Sequence, residues 1–426
     1  MRALSLVSGL LLAVACGKPE DPLPQYHRDI QPLLEKSCLS CHKTDGIAPL
    51  VFDTPEKAKQ LAPAIWAAVE SGRMPPFYAS SECNTYKDDP RLTVEERITL
   101  KTWVELGAPL GDVALARHAE VPAPPTVRHD RVMSIGGAFD VRAMGDGTLD
   151  NYRCFAMDPM ATEAVMVAGH EVIPGNVKLV HHVLAYEVVA SKLGELQRLD
   201  DAAPGLGYPC KSGSVGIDGT FTRQIAGWVP GATPTRMPAG SGLYLSAGSK
   251  IVIQIHYNLN VGAEVSPLDE TKLALEVAPA GSLETAYILP MLDDDFDIAP
   301  NDPSATHSKT QPYGLFLSGA RIYAVMGHMH QLGSRVKLER LRKGAPDVCM
   351  LDIPNWDFNW QRDYRLSKPI GLGSEDELRI TCTFDNSADN QPYVNGVQQT
   401  PRRVRWGESS FDEMCMVYMT FTRPQP

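Results

Sequence analysis

Lys250-Ile-Val-Ile-Gln-Ile-His256 alternates between two kinds of position, isoleucine at every second residue, and Glu377-Leu-Arg-Ile-Thr-Cys-Thr-Phe384 repeats the pattern. In a strand successive side chains leave opposite faces, so each stretch offers one apolar face to a core. Similar short segments, separated by Gly, Pro, Asn and Asp, fill residues 127 to 426, the pattern of β-sandwiches. A single sandwich needs about 100 residues, so two antiparallel, jelly-roll-like sandwiches are expected, over 127–290 and 291–426. The acidic, turn-rich stretch from Pro290 to Pro312 is the expected join. Upstream the texture is helical. Ile30, Leu33 and Leu34 have helical spacing, and Leu61, Ile65 and Val69 recur four apart. Thr93, with Glu96 three residues on, opens a third helix through Ile98, Leu100, Trp103 and Val104 to Gly107. A small all-α unit is therefore expected over 26–111. Residues 112–126, ending in Glu120-Val-Pro-Ala-Pro-Pro-Thr126, form a Pro-rich linker.

Composition narrows the function classes. The 426 residues are 43% hydrophobic and 21% charged, as in ordinary globular proteins, and exceed the size of one compact core. The net charge of −11 comes without a Lys/Arg run and repels phosphate backbones, which excludes nucleic acid as a partner. Leu4 to Ala15 is the only long apolar run and is too short to span a bilayer, so residues 1–16 are expected to be a signal peptide. Leu12-Ala-Val-Ala-Cys16 resembles a bacterial lipobox, in which the cysteine is acylated. That places the chain in an exported bacterial cell envelope, held on the periplasmic face of a membrane by lipid on Cys16 alone. The eight other cysteines then lie in an oxidising compartment, where two can hold a haem and six can pair.

Cys38-Leu-Ser-Cys41-His42 is a CxxCH motif. Two thiols at this spacing can form thioethers to haem vinyl groups while His42 faces the iron. Gly72-Arg-Met74-Pro-Pro76 offers Met74 as second axial ligand on a proline-stiffened loop. Tyr26 to Gly111 resembles the small c-type cytochromes, which implies terminal helices crossing over a covalent haem c. A structural disulfide or a zinc site is the other use of such a cysteine pair, and a core position the other use of Met74.

Of the eleven histidines, three groups stand out: His181-His182, His256 and His328-Met-His330. His328 and His330, two apart in a strand, share a face and can reach one metal. Adjacent His181 and His182 would point oppositely, and serve one metal only where the strand ends or bulges. Imidazole-rich sites suit copper, zinc or nickel, and a thioether shifts the preference towards copper. His170 and His307 are expected to be structural or solvent-facing, and His118 and His129 carry no signal.

Val180-His-His-Val183, Gln254-Ile-His-Tyr257, Gly327-His-Met-His-Gln-Leu-Gly333 and Asp412-Glu-Met-Cys-Met-Val-Tyr418 occur in the order and at the approximate separations of a known family. Over residues 127 to 422 the chain resembles the copper type II, ascorbate-dependent monooxygenases, which include peptidylglycine α-hydroxylating and dopamine β-monooxygenases. The resemblance implies that His181, His182 and His256 bind an electron-storing copper. It makes His328, His330 and Met414 the ligands of a second copper, where oxygen meets substrate. It also implies disulfides Cys154–Cys210 and Cys382–Cys415, leaving Cys83 and Cys349 either to pair, stapling the helical unit to the second sandwich, or to remain free thiols. The peptide enzyme holds its substrate's carboxylate with an arginine two residues before HxH and an asparagine two after the ligand methionine. Met326 and Met416 stand there, and only Tyr418 remains. Losing the guanidinium removes a clamp worth about 2 to 3 kcal/mol. Two methionines suit a more apolar pocket.

These readings predict an oxidoreductase with two copper ions and one haem c that inserts one atom of O2 into a C–H bond of a small organic molecule. Its electrons would come from an ascorbate-like reductant or a redox protein through the haem. A non-catalytic copper-binding or electron-transfer lipoprotein is the alternative.

Overall fold

The computed structural model describes residues 23–44, 46, 48–121, 125–144, 150–210, 215–219, 222–259, 265–394, 396–407 and 409–423. The signal segment 1–16 with Cys16, and linker residues 122–124, lie outside them. The chain divides into two compact units, one of residues 1–75 with 90–121, the other of 76–89 with 122–426.

The first unit is helical. Tyr26–Ile30 forms a short π-helical turn that runs into α1 (Gln31–Ser37), followed by α2 (Pro55–Glu70) and α3 (Val94–Glu105). Thr54 caps α2 through the Lys57 amide, and Thr93 with Glu96 makes a reciprocal capping box at α3. Ile30, Leu33, Leu34, Ile65, Val69, Leu100 and Trp103 close one core, with Trp103 against Tyr26 at 6.2 Å between ring centres. Part of the expected linker is ordered here. The Arg117 amide donates to the His27 carbonyl and the Ala119 amide to Glu35, so the chain docks on this unit well beyond residue 111.

The second unit is mostly β. Its longer strands, in chain order, are β1 (Arg131–Ser134), β2 (Asp150–Met157), β3 (Val165–Ile173), β4 (Val180–Val188), β5 (Thr222–Trp228), β6 (Ser241–Leu245), β7 (Lys250–Asn258) and β8 (Lys272–Pro279). There follow β9 (Glu284–Asp293), β10 (Ala305–Gln311), β11 (Arg321–His328), β12 (Gly333–Leu341), β13 (Val348–Ile353), β14 (Tyr364–Gly371), β15 (Glu377–Phe384) and β16 (Cys415–Thr422). One sheet runs β1-β8-β3-β6-β9-β16-β11-β14, with Thr235–Arg236 paired beside β3. A second sheet has β2-β7-β4-β5 with Tyr208–Pro209 at its edge, and a third has β10-β15-β12-β13. Pairing is antiparallel apart from β6 with β9.

Two large hydrophobic cores follow from this layering, with a smaller cluster around Tyr208 and Val252 on the outer face of the second sheet. Ile251, Ile253, Ile255 and Tyr257 of β7 enter the first together with Val167, Leu243, Leu273 and Leu275 from the long sheet. Leu378, Ile380, Cys382 and Phe384 of β15 enter the second with Val325, Val417, Met419 and Phe421. The long sheet thus contributes to both cores, and β9 carries the chain from one to the other where the sequence predicts a loop beginning at Pro290. Pro290 lies beyond Glu284–Ala286, the residues of β9 that pair with β6, so on that side no ladder bond needs its missing N–H, and Met291 still enters the second core.

Residues 76–89, read from sequence as part of the helical unit, pack instead with the second sandwich. Phe77, Ala79 and Tyr86 are buried in its core, Tyr86 bridges to Leu366, and Cys83 is bonded to Cys349. The reason is apolar burial: Phe77 and Tyr86 meet Tyr364 edge-on at 5.1 and 5.5 Å. This disulfide therefore closes a strap within the second unit. Cys154–Cys210 and Cys382–Cys415 are also bonded.

Candidate metal centres

β7 is central in its sheet, so both its edges are hydrogen-bonded, and the side chains from Ile251 to Tyr257 are buried on both faces. Its inner face is isoleucine, and its outer face carries Val252, Gln254 and His256. His256 pairs with Tyr152 on β2 and with His182 on β4. The register then jumps, Tyr257 pairing with Val180, which leaves His181 as the extra residue of a bulge. That irregularity turns both adjacent histidines towards one point. His256 Nδ1 lies 3.2 Å from His181 Nδ1 and 3.4 Å from His182 Nδ1, and the ligand atoms of the trio all fall within 4.8 Å of one another. A tetrahedral set of nitrogens about 2.0 Å from a common centre has edges of about 3.3 Å, so two of the three separations already fit a metal. The His256 ring is stacked on Tyr152 at 4.2 Å, which fixes its plane.

The second set forms at the end of β11. His328 pairs with Met416 and Met326 with Tyr418 on β16, so these four side chains share the face opposite the second core. Gly327 and Gly333 flank His328-Met-His330. A Cβ at Gly327 would meet Val336 at 2.7 Å, and one at Gly333 would meet Met329 and Trp356 at 2.8 Å, so no larger residue fits either place. Glu413, fully buried, ties this turn to the start of β16. Its two oxygens accept from the amides of His330 (2.9 Å), Leu332 (2.6 Å) and Met414 (3.2 Å). Burial pushes the Glu413 carboxyl up to about 8, while those amide donors favour its ionised form. Met414 is buried one residue further on, and Cys382–Cys415 locks the strand that follows it to β15.

The tautomers differ between the sets. His328 Nδ1 is 2.6 Å from Gln361 Oε1 and His330 Nδ1 is 3.2 Å from the Asp412 carbonyl, so in both rings Nδ1 carries the proton and Nε2 keeps the lone pair. In the trio Nδ1 is the converging atom. Burial lowers the pKa of His182, His328 and His330, the last to about 3, and His182 is depressed further by the charges that His256, His181, His328 and His330 would carry. Neutral imidazoles are what a metal needs. The chemistry of the donors suits copper: three imidazoles converge in one set, and in the other two imidazole rings lie 5.3 Å apart in a turn that Glu413 ties to the backbone of the buried Met414.

In the helical unit Cys38 and Cys41 carry no disulfide. The His42 amide returns to the Cys38 carbonyl, and its Nδ1 lies 2.7 Å from the Leu50 carbonyl, leaving Nε2 free to ligate. The His42 ring stacks on Phe52 at 4.5 Å. Unbonded thiols one helical turn apart with an oriented imidazole fit a covalent haem. Met74, 37% exposed, follows the turn after α2.

The other histidines fall away from both sets. His170 is buried in β3 with its pKa pushed down to about 4 by burial, and His307 lies against Phe296 and Phe384. His118 pairs with Glu35 and His129 with Glu171. Burial raises Tyr418 to about 12, and burial also raises Tyr186, which the negative form of Tyr418 would raise further. Sequence reasoning missed Trp356, Phe358, Gln361 and the role of Glu413. The run Pro354-Asn-Trp-Asp-Phe-Asn-Trp-Gln361 carried a usable signal, because aromatics interleaved with turn-forming residues seldom occur without something to pack on.

Comparison with known proteins bears on the family rather than on single residues. Residues 298–425 match the model of the copper type II ascorbate-dependent monooxygenase C-terminal domain. The peptidylglycine α-amidating monooxygenase of Rattus norvegicus is 23% identical over 296 residues, 67% of this chain and 26% of its own. The tyramine β-hydroxylase of Caenorhabditis briggsae is 24% identical over 263 residues, 59% of this chain and 41% of its own. The DBH-like monooxygenase protein 1 of Gallus gallus is 23% identical over 57% of this chain and 39% of its own. The chain thus spans well under half the length of these relatives.

Proposed function

From the premise that this chain belongs to the copper type II, ascorbate-dependent monooxygenase family, we propose that it hydroxylates a C–H bond of a small organic substrate with O2. His181, His182 and His256 would hold one copper, and His328, His330 and Met414 the other. When bound, these ions supply electrons one at a time and activate O2, so that one oxygen atom enters the substrate and the other leaves as water.

The chain's own residues prepare that chemistry. The bulge at His181 gathers three imidazoles, and Glu413 holds the His330 turn against the residues that carry Met414. Met326, Met416 and Tyr418 share a face with His328 and offer thioethers and a phenol to an apolar substrate rather than a cation to a carboxylate. The convergence of His181, His182 and His256 carries the reading. Elemental analysis should find two copper ions per chain, and O2 uptake should depend on added substrate. Copper binding without substrate-dependent uptake would move the protein to the non-catalytic, electron-transfer class.

The CxxCH unit completes the proposal. Cys38, Cys41, His42 and Met74 would hold a haem c that passes single electrons to copper, replacing or mediating an ascorbate-like donor. Free thiols and the His42–Leu50 contact support this reading. Reducing the haem anaerobically should bleach the Cu(II) resonance. A haem that stays reduced beside oxidised copper, while ascorbate reduces that copper directly, would defeat the relay. We further propose export to a bacterial cell envelope with lipid on Cys16 as the membrane tether. Among the described residues no helix is long and apolar enough to cross a membrane.

A further inference from the structure

The loop between β13 and β14 supplies none of the ligands assigned above, yet it touches both histidine sets. The Phe358 ring stacks on His181 at 5.7 Å between centres and presents itself edge-on to His330 at 6.1 Å. Trp356 Nε1 donates to the His330 carbonyl at 3.2 Å. Gln361 Nε2 donates to the Phe358 carbonyl at 3.0 Å, which turns Oε1 towards His328 Nδ1 at 2.6 Å. An amide oxygen only accepts, so it selects the His328 tautomer whose Nε2 lone pair faces the metal position.

The same loop is gripped from its other side by the strap of residues 76–89. The Arg362 guanidinium lies over the Phe77 ring at 5.0 Å, and the Tyr78 hydroxyl reaches Asp357 at 3.5 Å. The strap is itself closed by Cys83–Cys349. The loop is thus held in place before any metal arrives.

We propose that Gln361 is a positioning residue for His328, and that the 354–363 loop is a shared brace that sets ligand orientation at the second metal site while packing on the first. The proposal rests on the copper reading. His330 is oriented by a backbone carbonyl, that of Asp412, which no side-chain substitution removes. His328 depends on a side chain that can be changed. Partners of this kind orient a ligating imidazole and raise its basicity, and their loss costs roughly 10- to 100-fold in metal affinity.

The test uses the full-length chain and copper alone, titrated against a competing chelator, with the Cu(II) resonance of each site recorded. Gln361→Leu should weaken the second copper roughly 10- to 100-fold and alter its resonance, leaving the trio's copper unchanged. Gln361→Glu, which keeps an acceptor for the Nδ1 proton, should restore affinity to within a few-fold. Phe358→Leu, which leaves the Gln361 amide its backbone partner, should perturb the resonances of both sites. Wild-type affinity at both sites in Gln361→Leu would overturn the proposal. So would equal loss at both sites, or a Gln361→Glu variant no better than Gln361→Leu. A parent chain that binds fewer than two coppers would instead remove the copper reading beneath it.

Discussion

At the scale of single residues, position outweighs identity. Eleven histidines are present, and five converge in two sets because a bulge and a glycine-flanked turn aim them. His256→Ala should lower copper from two ions to one per chain by elemental analysis while the Met414 site stays filled, since the sets share no ligand. His170 makes a different point. Its unfolded pKa is near 6.5 and burial holds its folded pKa at about 4. A depressed folded pKa gives stability that is complete above the unfolded value and is lost as pH falls towards the folded one. The parent chain should therefore lose about 3 kcal/mol from this group between pH 6.5 and 4, and denaturant midpoints of His170→Leu should fall less steeply across that window. An unchanged slope would mean that His170 is solvated in the folded chain.

At the scale of elements, disulfides decide which strands stay together. Cys382–Cys415 joins β15 to the first residue of β16, next to the candidate ligand Met414. Cys382→Ala with Cys415→Ala should lower stability by about 2 to 4 kcal/mol in urea titrations, and should cost copper at the second site before the first. Cys83–Cys349 spans 266 residues and fastens the strap whose Phe77 and Tyr86 enter the second core. Replacing that pair with alanines should speed proteolysis within residues 76–89, read by mass spectrometry, because only noncovalent contacts then hold the strap. Cleavage as slow as in the parent would show that packing alone suffices.

At the scale of the whole molecule, the net charge of −11 acts on the electron supply. Ascorbate is an anion at neutral pH, so the chain's field opposes its approach, and salt screens that field over about 10 Å at 0.1 M. Reduction of copper by ascorbate should accelerate as ionic strength rises, whereas reduction by a small cationic complex should slow. Opposite slopes, measured by stopped-flow, would show that local charge at the entry site overrides the net field. A cytochrome on the same chain would make the supply insensitive to either.

Candidate donors and strands were legible in the sequence wherever they ride on local pattern. CxxCH, HH, HxH and the period-two strands are short, and period alone places Ile251, Ile253 and Ile255 in a core and His256 on the opposite face. The capping box at Thr93 and Glu96 is local too, and it was readable for the same reason. Other features depend on contacts between distant segments, which no local pattern encodes. The bulge that turns His181 beside His182 is set by the partner strand β7, 75 residues on from His181. The strap 76–89 looked helical by neighbourhood but buries its aromatics against Tyr364. Gln361 reads as one more polar loop residue until folding brings its oxygen to His328 across 33 positions. Sequence determined which donors the protein owns. Tertiary structure alone decided which nitrogen of His328 and of His330 carries the proton, because a tautomer is chosen by whatever hydrogen-bond partner folding places beside it.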